Sequence, residues 1–528
     1  MGLTPAPVYA WPLAWVALAL LWWLVVNAAE QETQRDRASL LQAIAYGLAW
    51  GFGYHGLALF WITGIHPMTW MGVPWLNSLA IAAFCWIFIS SWGALLTATW
   101  ASAMVAWCRW DCQRLASVPP AKRPLPWLRV LVGVALWCAI EALWSRGPLY
   151  WTSISYTQSP YNLVIAHLAQ FSGPSAVTAA LVVVNGLLAE VGLRWRPLSM
   201  VGTAKLEKDR ARSQPVRLFP AAWLASALIL LIVLHGLGWN LYRQPLADKP
   251  NAALDIGIIQ GNVPNEIKLY GSGLRRALAG YTRGYEALAA QGVDAVLTPE
   301  TAIPLVWHEV VQARSPFYQT ILERQVPVWV GAFGRNFVTN SLFTVLGNGN
   351  TFSRYDKVKL VPVGEYIPLS QWLGDLIDRL SPLDVQMVPG SPTQVFETPF
   401  GRAIAAICYE SAFSHLFRDQ AAQGGQFILS ASNDAHYSET MPAQHHAQDI
   451  LRAIETSRWT ARATNTGYSA IVDPHGQTRW ISPINEYALH ATTIYRRQNQ
   501  TLYVRWGDWL MPSLLGLGLL GTIIRWRR

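Results

Sequence analysis

The chain has 528 residues, of which 52% are hydrophobic, 13% are charged and 28 are tryptophan. So few charges and so many aromatic residues exclude an ordinary soluble protein and indicate a membrane protein. The net charge of +9 comes mainly from basic residues in a few loops, so it gives no reason to expect a nucleic-acid partner.

Long apolar segments fill the first half of the chain and return at its C-terminal end. Most are about as long as the ~20 residues that cross a bilayer as a helix. The seven predicted spans are residues 9–27, 40–65, 77–107, 128–144, 176–193, 219–241 and 509–524. Six of them form a predicted helical membrane domain over residues 1–241, and the seventh is a C-terminal transmembrane helix.

Basic residues cluster in alternate loops between these spans. The clusters lie at residues 35–37, 109–123, 194–217 and 525–528. Positively charged loops stay in the cytoplasm, so this pattern places residues 242–508 outside. No basic segment precedes the first span, so no cleavable signal peptide is expected.

The segment from residue 251 to residue 504 has a different pattern, in which short apolar runs alternate with helix-like stretches. The runs are residues 254–259, 295–297, 326–330, 341–346, 403–407, 427–429 and 469–472, and the helix-like stretches include 274–290 and 411–423. Alternating strands and helices predict a layered α/β domain. Residues 347–350, Gly-Asn-Gly-Asn, indicate a hairpin turn between two strands.

Three residues with catalytic chemistry lie near the ends of predicted strands. Glu300 follows the run at 295–297, Lys357 lies on a strand that leads into a Pro/Gly loop, and Cys408 directly follows the run at 403–407. Open α/β folds bind ligands at such strand ends, where a carboxylate can act as a base and a thiol as a nucleophile. The alternatives are a helix-capping glutamate, a solvated lysine and a small buried cysteine.

The order and local context of these residues resemble the nitrilase superfamily of carbon-nitrogen hydrolases, and flanking motifs narrow the resemblance to the bacterial apolipoprotein N-acyltransferase family. The motifs are residues 260–264, 299–304, 357–368, 408–410 and 432–435, together with 51–53, 60–61 and 147–158 in the membrane half. The resemblance covers nearly the whole chain. It implies an αββα sandwich for residues 251–504. The family usually has eight spans, so its first helix is expected to be absent here.

The resemblance assigns a role to each residue of the triad. Glu300 is the general base that takes the thiol proton, Lys357 stabilises the tetrahedral oxyanion, and Cys408 accepts the acyl group. The spacing Lys-x-x-Leu-Val-Pro-x-Gly-Glu selects Lys357 over its neighbour Lys359. The resemblance also adds the supporting residues Glu365, Tyr409 and Glu410 and the candidate substrate-binding residues Asn433 and His436.

A long connection between Gly364 and Gly390 carries apolar residues at helical spacing, among them Trp372 and Leu373. One interpretation is an arm that enters the outer leaflet and admits acyl chains, which makes these two residues candidate substrate contacts. The alternative is ordinary core packing.

Three histidines near Asp434 raise the question of a metal site. His436, His445 and His446 have no regular ligand spacing, and cysteine chemistry needs no metal, so we expect neither a metal nor a cofactor. The other four cysteines lie near or within predicted spans, and no disulfide is expected.

These observations, with the resemblance, predict a multi-pass enzyme of the bacterial inner membrane whose catalytic domain is extracytoplasmic. It would move an acyl chain from a phospholipid, through a thioester on Cys408, to the α-amino group of a lipoprotein's diacylglyceryl-cysteine. The first alternative is a membrane-tethered amidase that hydrolyses a small amide. The second is a transporter with an inactive enzyme domain, but few ionisable residues, such as Glu141 and His235, interrupt the spans.

Overall fold

The computed structural model of the chain describes residues 1–30, 36–115, 127–194, 219–334, 338–362, 364–366, 386–435 and 437–527. The helices of the N-terminal half are α1 Ala17–Glu30, α2 Asp36–Ala58, α3 Trp75–Leu115, α4 Trp127–Trp144, α5 Leu163–Ala166, α6 Ala169–Ser172, α7 Pro174–Arg194 and α8 Phe219–Tyr242. Short 3-10 helices lie at Trp11–Trp15, Phe60–Ile65, Thr69–Met71 and Ile154–Gln158.

Five helices in the described part of the chain are long and apolar enough to cross a membrane, judged by length and composition. They are Trp11–Glu30, Trp75–Arg114, Trp127–Trp144, Pro174–Arg194 and Ala221–Tyr242. The predicted span at 40–65 falls on α2, which ends at Ala58 and is followed by a 3-10 helix. The span at 509–524 falls on a shorter apolar helix. The count of seven spans therefore stays a prediction.

The C-terminal half contains thirteen strands within the described residues. They are β1 Ala253–Gln260, β2 Ala295–Leu297, β3 Ile303–Val306, β4 Val328–Phe333, β5 Asn340–Val345, β6 Thr351–Asp356, β7 Phe396–Thr398, β8 Gly401–Ile407, β9 Ile428–Ser432, β10 Thr460–Thr464, β11 Ala470–Val472, β12 Thr478–Ile481 and β13 Ala488–Tyr495. Each of the seven predicted strand runs overlaps one of them.

The helices of this half lie between and after the strands. They are α9 Asn265–Lys268, α10 Gly271–Ala289, α11 Trp307–Gln312, α12 Pro316–Arg324, α13 Ser414–Ala422, α14 Thr440–Thr456, α15 Leu502–Trp506 and α16 Leu510–Arg527, with 3-10 helices at Pro250–Ala252 and Cys408–Ala412.

The strands form two sheets. The first has the order β13-β1-β2-β4-β5-β6, with β3 paired to β4, and the second has the order β12-β11-β10-β9-β8-β7. The central strands β1, β2 and β4 are parallel, as are β8, β9 and β10. The predicted hairpin at 347–350 joins β5 to the antiparallel β6.

Alternation along the strands creates three layers of apolar packing. Ala403, Ala405 and Ile407 of β8 pack between the two sheets, whereas Ile404 and Ala406 point to the opposite face. There they meet α13, and helices α10 and α12 cover the outer face of the first sheet. The domain is thus helix, sheet, sheet, helix, which confirms the expected αββα sandwich.

Helix α14 connects this sandwich to the membrane half. Its Ile450, Leu451 and Ile454 belong to the same apolar core as α1, α4 and α7. On the same helix, the Gln444 side chain forms four hydrogen bonds with three segments of the membrane half. Its Oε1 accepts from the indoles of Trp61, at 3.1 Å, and Trp151, at 2.9 Å. Its Nε2 donates to the Ala6 and Ala58 carbonyls at 3.0 and 2.8 Å. The two halves therefore share a buried polar joint.

Candidate active site

The predicted triad comes together at one edge of the two sheets. Glu300 lies three residues after β2, Lys357 directly follows β6, and Cys408 directly follows β8. Lys357 was expected on the strand itself and lies one residue beyond its end. All three side chains line one cavity. Cys408 has φ 52°, a left-handed conformation that costs a residue with a Cβ roughly 1–2 kcal/mol and turns the thiol away from the strand.

A buried ion-pair cluster surrounds Lys357. Its Nζ lies 2.9 Å from Glu300 Oε1 and 3.0 Å from the Glu365 carboxylate. The Asn340 amide donates to the same two carboxylates, at 2.7 Å to Glu300 and 2.9 Å to Glu365. Both carboxylates are thus oriented by one cation and one amide. Glu365 takes the supporting position expected of it.

The charges of this cluster set the resting protonation states. Burial would raise the pKa of the Glu300 carboxyl, but Lys357 outweighs burial and leaves that pKa below its ordinary value. Burial would lower the pKa of Lys357, but Glu300 and Glu365 hold it well above its ordinary value. Burial, and then the Glu300 charge, raise the pKa of the Cys408 thiol well above its usual range. The site therefore rests as a neutral thiol beside an ionised carboxylate and an ammonium group.

Glu410 joins the nucleophile turn to the lysine loop. It is fully buried, and its Oε1 accepts from the backbone N–H groups of Val358 and Lys359, at 2.6 and 3.1 Å. Its Oε2 accepts from the Ile407 N–H at 2.7 Å, and the Tyr355 hydroxyl also donates to the carboxylate. Burial raises the pKa of Glu410 to about 7, although these donors oppose the shift. Glu410 thus holds Cys408 and Lys357 in register.

Tyr409 faces the membrane half. Its hydroxyl donates to the Pro148 carbonyl at 2.7 Å and accepts from the Tyr150 N–H at 2.9 Å. Its ring is nearly parallel to that of Trp151, with the centroids 6.2 Å apart. Tyr409 therefore fixes the loop after α4 beside the nucleophile.

Asn433 lies behind the nucleophile. Its carbonyl oxygen is 4.0 Å from Cys408 Sγ, and its side chain bonds to Asn265 and Asn465 at 3.0 Å each. It lines the same cavity. The other three candidate substrate contacts, Trp372, Leu373 and His436, lie outside the described residues, as does most of the predicted arm.

Lys268 is a site residue that strand-end reasoning missed. It is buried on α9, and its Nζ donates to the Glu300 carbonyl at 3.1 Å. Burial lowers the pKa of Lys268 to about 8, although the Glu300 charge opposes the shift. Asn340 was missed too. The only signal for either residue is its proximity to a motif.

His445 supports the nucleophile through the backbone. Its Nε2 lies 2.8 Å from the Cys408 carbonyl, to which it donates, and its Nδ1 lies 3.1 Å from Asp434 Oδ1. Arg462 reaches Asp434 Oδ2 at 2.9 Å and Asp449 at 2.6 Å. Potential ligand atoms of Cys408, Asp434 and His445 lie within 4.8 Å of one another. A guanidinium already neutralises this cluster, so a hydrogen-bonded support fits it better than a metal site. His446 bonds to Thr478 instead, at 2.9 Å.

The cavity extends from the triad into the membrane half. It has a volume of 390 Å³ and is mostly apolar. Its polar end carries Glu300, Lys357 and Cys408, and apolar side chains of the loop after α2 and of α3, such as Ile62 and Ile89, line the remainder. The reactive groups thus open into a pocket that only the two halves together can build.

Comparisons with known proteins agree with this arrangement. Residues 267–490 match the model of the carbon-nitrogen hydrolase family, and residues 1–187 match that of the apolipoprotein N-acyltransferase N-terminal domain. The apolipoprotein N-acyltransferase of Nostoc sp. is 55% identical, over 100% of this chain and 98% of the relative. That of Synechocystis sp. is 48% identical, over 98% and 96%, and that of Thermosynechococcus vestitus is 43% identical, over 98% and 92%.

Proposed function

Since this chain belongs to the apolipoprotein N-acyltransferase family and is a membrane-bound acyltransferase that acts on lipoproteins, we propose that its acyl donor is a phospholipid. We also propose that Cys408 carries the acyl chain as a thioester. The acceptor is then the free α-amino group of the diacylglyceryl-cysteine at a lipoprotein's N-terminus.

The first half-reaction forms the thioester. The Glu300 carboxylate accepts the thiol proton while Cys408 Sγ attacks the ester carbon of the donor. The oxyanion that forms lies beside the Lys357 ammonium, which offsets its charge without moving a proton. Collapse of the tetrahedral intermediate breaks the ester C–O bond. The lysophospholipid oxygen then takes the proton from Glu300.

The second half-reaction transfers the acyl group. The neutral amine of the acceptor attacks the thioester carbon and loses a proton to Glu300, and Lys357 again faces the oxyanion. The C–S bond breaks, and the proton passes from Glu300 to Cys408 Sγ. One nucleophile used twice implies ping-pong kinetics.

The cavity is the observation that carries this proposal. A hydrolase of small amides needs a small pocket and a single membrane anchor. Here the triad opens into a mostly apolar cavity, lined by Trp61, Ile62 and Ile89 of a domain with several membrane helices. An acyl chain that leaves the bilayer would be shielded from water in such a space. This supports a lipid donor and disfavours the amidase alternative.

Two cations next to the site support a donor that bears phosphate. Lys359 lies two residues after Lys357, with its Nζ 3.1 Å from the Arg146 carbonyl. Arg146 is exposed on the loop that Tyr409 holds. Within the described part of the chain, neither cation forms an ion pair with a carboxylate. A phosphodiester is a suitable partner for such a pair.

The transporter alternative lacks a polar path through the described helices. Glu141 is buried, and its carboxylate accepts from the Ile154 N–H at 3.1 Å and the Thr178 hydroxyl at 2.7 Å. The His235 ring is bonded to the carbonyl one turn before it on α8, at 2.8 Å. Both groups have local structural partners.

The test is mass spectrometry of the purified protein with a defined phospholipid. We expect the mass of one acyl chain to appear on Cys408 and to disappear when a diacylglyceryl lipopeptide with a free α-amine is added, with N-acylated lipopeptide as the product. The matched control is the same lipopeptide with an acetylated amine, which should leave the adduct in place. Absence of an adduct, or its loss to water at the same rate without lipopeptide, would refute the proposal.

We further propose that the sandwich domain at 251–504 is periplasmic and that the basic loop before α8 is cytoplasmic. A single cysteine in place of Asn348, exposed in the β5–β6 hairpin, should react with a membrane-impermeant label from outside. Its neighbour Gly349 is less suitable, because a Cβ there would lie 2.5 Å from the Tyr318 hydroxyl. A cysteine at Ser213, outside the described residues, should react only after permeabilisation. The reverse pattern would overturn the orientation.

A further inference from the structure

We infer that His55 forms the inner end of the cavity and sets the longest acyl chain that the enzyme accepts. This inference rests on the proposed function, because it assumes that an acyl chain occupies the cavity.

One face of α3 lines the cavity along its length. The lining residues Ile81, Cys85, Ile89, Gly93 and Leu96 are spaced by four, four, four and three positions, so they form a single stripe. From Ile81 to Leu96 the helix rises about 22 Å, which is comparable to an extended fatty acyl chain. Gly93 and Leu96 lie deepest in the helix, farthest from its start at Trp75.

Helix α2 closes this stripe from the other side. Gly47 and Gly51 bring its backbone against α3, since a Cβ at Gly47 would lie 2.6 Å from Ala98 Cα and one at Gly51 would lie 2.7 Å from Ala94 Cα. No chain can pass between backbones this close. His55 is the next residue on the same face of α2, one turn above Gly51, where the helices separate enough to leave a space.

The His55 ring fills that separation and is held rigidly. A Cβ added at Gly93 would lie 2.4 Å from the ring, so the imidazole packs directly on the α3 backbone. Its Nδ1 lies 2.6 Å from the Thr152 hydroxyl. Both Gly93 and Thr152 line the cavity with it. The ring is therefore a fixed floor rather than a mobile side chain.

The chemistry of the ring argues against a purely structural role. His55 is 4% exposed, and its Nε2 is buried without a hydrogen-bond partner among the described residues. An apolar side chain of similar size would fill the space without burying an unpaired nitrogen. The position thus holds a rigid, flat ring at the cost of an unsatisfied polar atom, which fits selection for the shape of the floor.

The experiment supplies the enzyme with pairs of synthetic diacyl phospholipids that differ only in acyl length, from lauroyl to behenoyl. Competing donors in one reaction give the ratio of long to medium chains on Cys408 by mass spectrometry. This ratio is unaffected by partial loss of folded enzyme. We expect His55→Ala to accept chains about two to four carbons longer, because the space it opens ends one helical turn lower, about 5.4 Å away, at Gly51. The ratio at the wild-type limit should rise at least about tenfold.

Two further variants make the test directional. Gly93→Ala adds a methyl group against the ring and should shift the limit to shorter chains, whereas His55→Phe keeps a ring and should leave the limit unchanged. If His55→Ala folds poorly, the double variant His55→Ala/Gly93→Ala fills part of the gap and should still exceed wild type in length. Unchanged limits in these variants would overturn the inference while thioester formation stands. No adduct from any donor in the wild type would refute the proposed function instead.

Discussion

Cys408→Ala and Cys408→Ser should form no acyl adduct, and their turnover should fall by a factor on the order of 10⁴ or more. Alanine has no nucleophile. Serine keeps the geometry, but its hydroxyl is a far weaker acid than a thiol. Glu300, whose pKa Lys357 lowers, is too weak a base to deprotonate it. The measurement is the mass of the acyl-enzyme together with the rate of lipopeptide acylation.

The matched control is Cys85→Ala. Cys85 is a free cysteine that lines the same cavity, at the α3 wall. If Cys408 alone carries the acyl chain, Cys85→Ala should keep the adduct and most of the activity. An adduct of normal yield in Cys408→Ala, mapped to any other residue, would show that the nucleophile has been misassigned.

Lys357→Met should lower the rate of thioester formation by about 10²–10³-fold, the effect of removing one fixed charge from the oxyanion. It should also destabilise the fold at neutral pH by about 3–5 kcal/mol, because two buried carboxylates, Glu300 and Glu365, lose their cation. Lys359→Met removes the same charge from a half-buried side chain two residues away and should change both quantities little. Equal effects of the two substitutions would contradict the assignment.

The pH dependence of stability provides a second, independent readout. In the wild type, the pair's contribution to the free energy of unfolding is present above the ordinary carboxyl pKa of 4.5 and is lost as pH falls through the lowered pKa of Glu300. In Lys357→Met, burial leaves the pKa of Glu300 above 4.5, so stability is lost as pH rises. The difference in melting temperature between the two proteins should therefore shrink as the sample is acidified. A constant difference would show that Lys357 acts through packing alone.

The sequence predicts the elements of the sandwich that have the clearest hydrophobic pattern. Strand β8 is apolar on both faces because sheets and helices cover both, so it is visible as a continuous run. Strand β10, Thr-Ala-Arg-Ala-Thr, is just as buried yet reads as polar. Its Arg462 is neutralised by Asp434 and Asp449, and no local pattern reveals partners so distant in the chain.

The triad was predictable for a related reason. Glu300, Lys357 and Cys408 each end an apolar run within a motif, so local signals coincide with chemistry. Asn340 and Lys268 reach the same carboxylate from a strand start and a short helix, where their residue types are unremarkable. The end of the cavity depends on how closely α2 approaches α3. That distance follows from glycine contacts across the helix pair, which single-helix periodicity does not contain.

The joint at Gln444 limits how such an enzyme can be rearranged by recombination. One amide from the sandwich satisfies two indoles and two carbonyls that come from three separate segments of the membrane half. A chimera that takes its two halves from different relatives inherits this glutamine with partners shaped for another. Each mismatch leaves a buried polar group unpaired, at about 1–3 kcal/mol per group. The halves are therefore expected to be inherited as one unit, and successful exchanges should carry α14 together with the membrane helices.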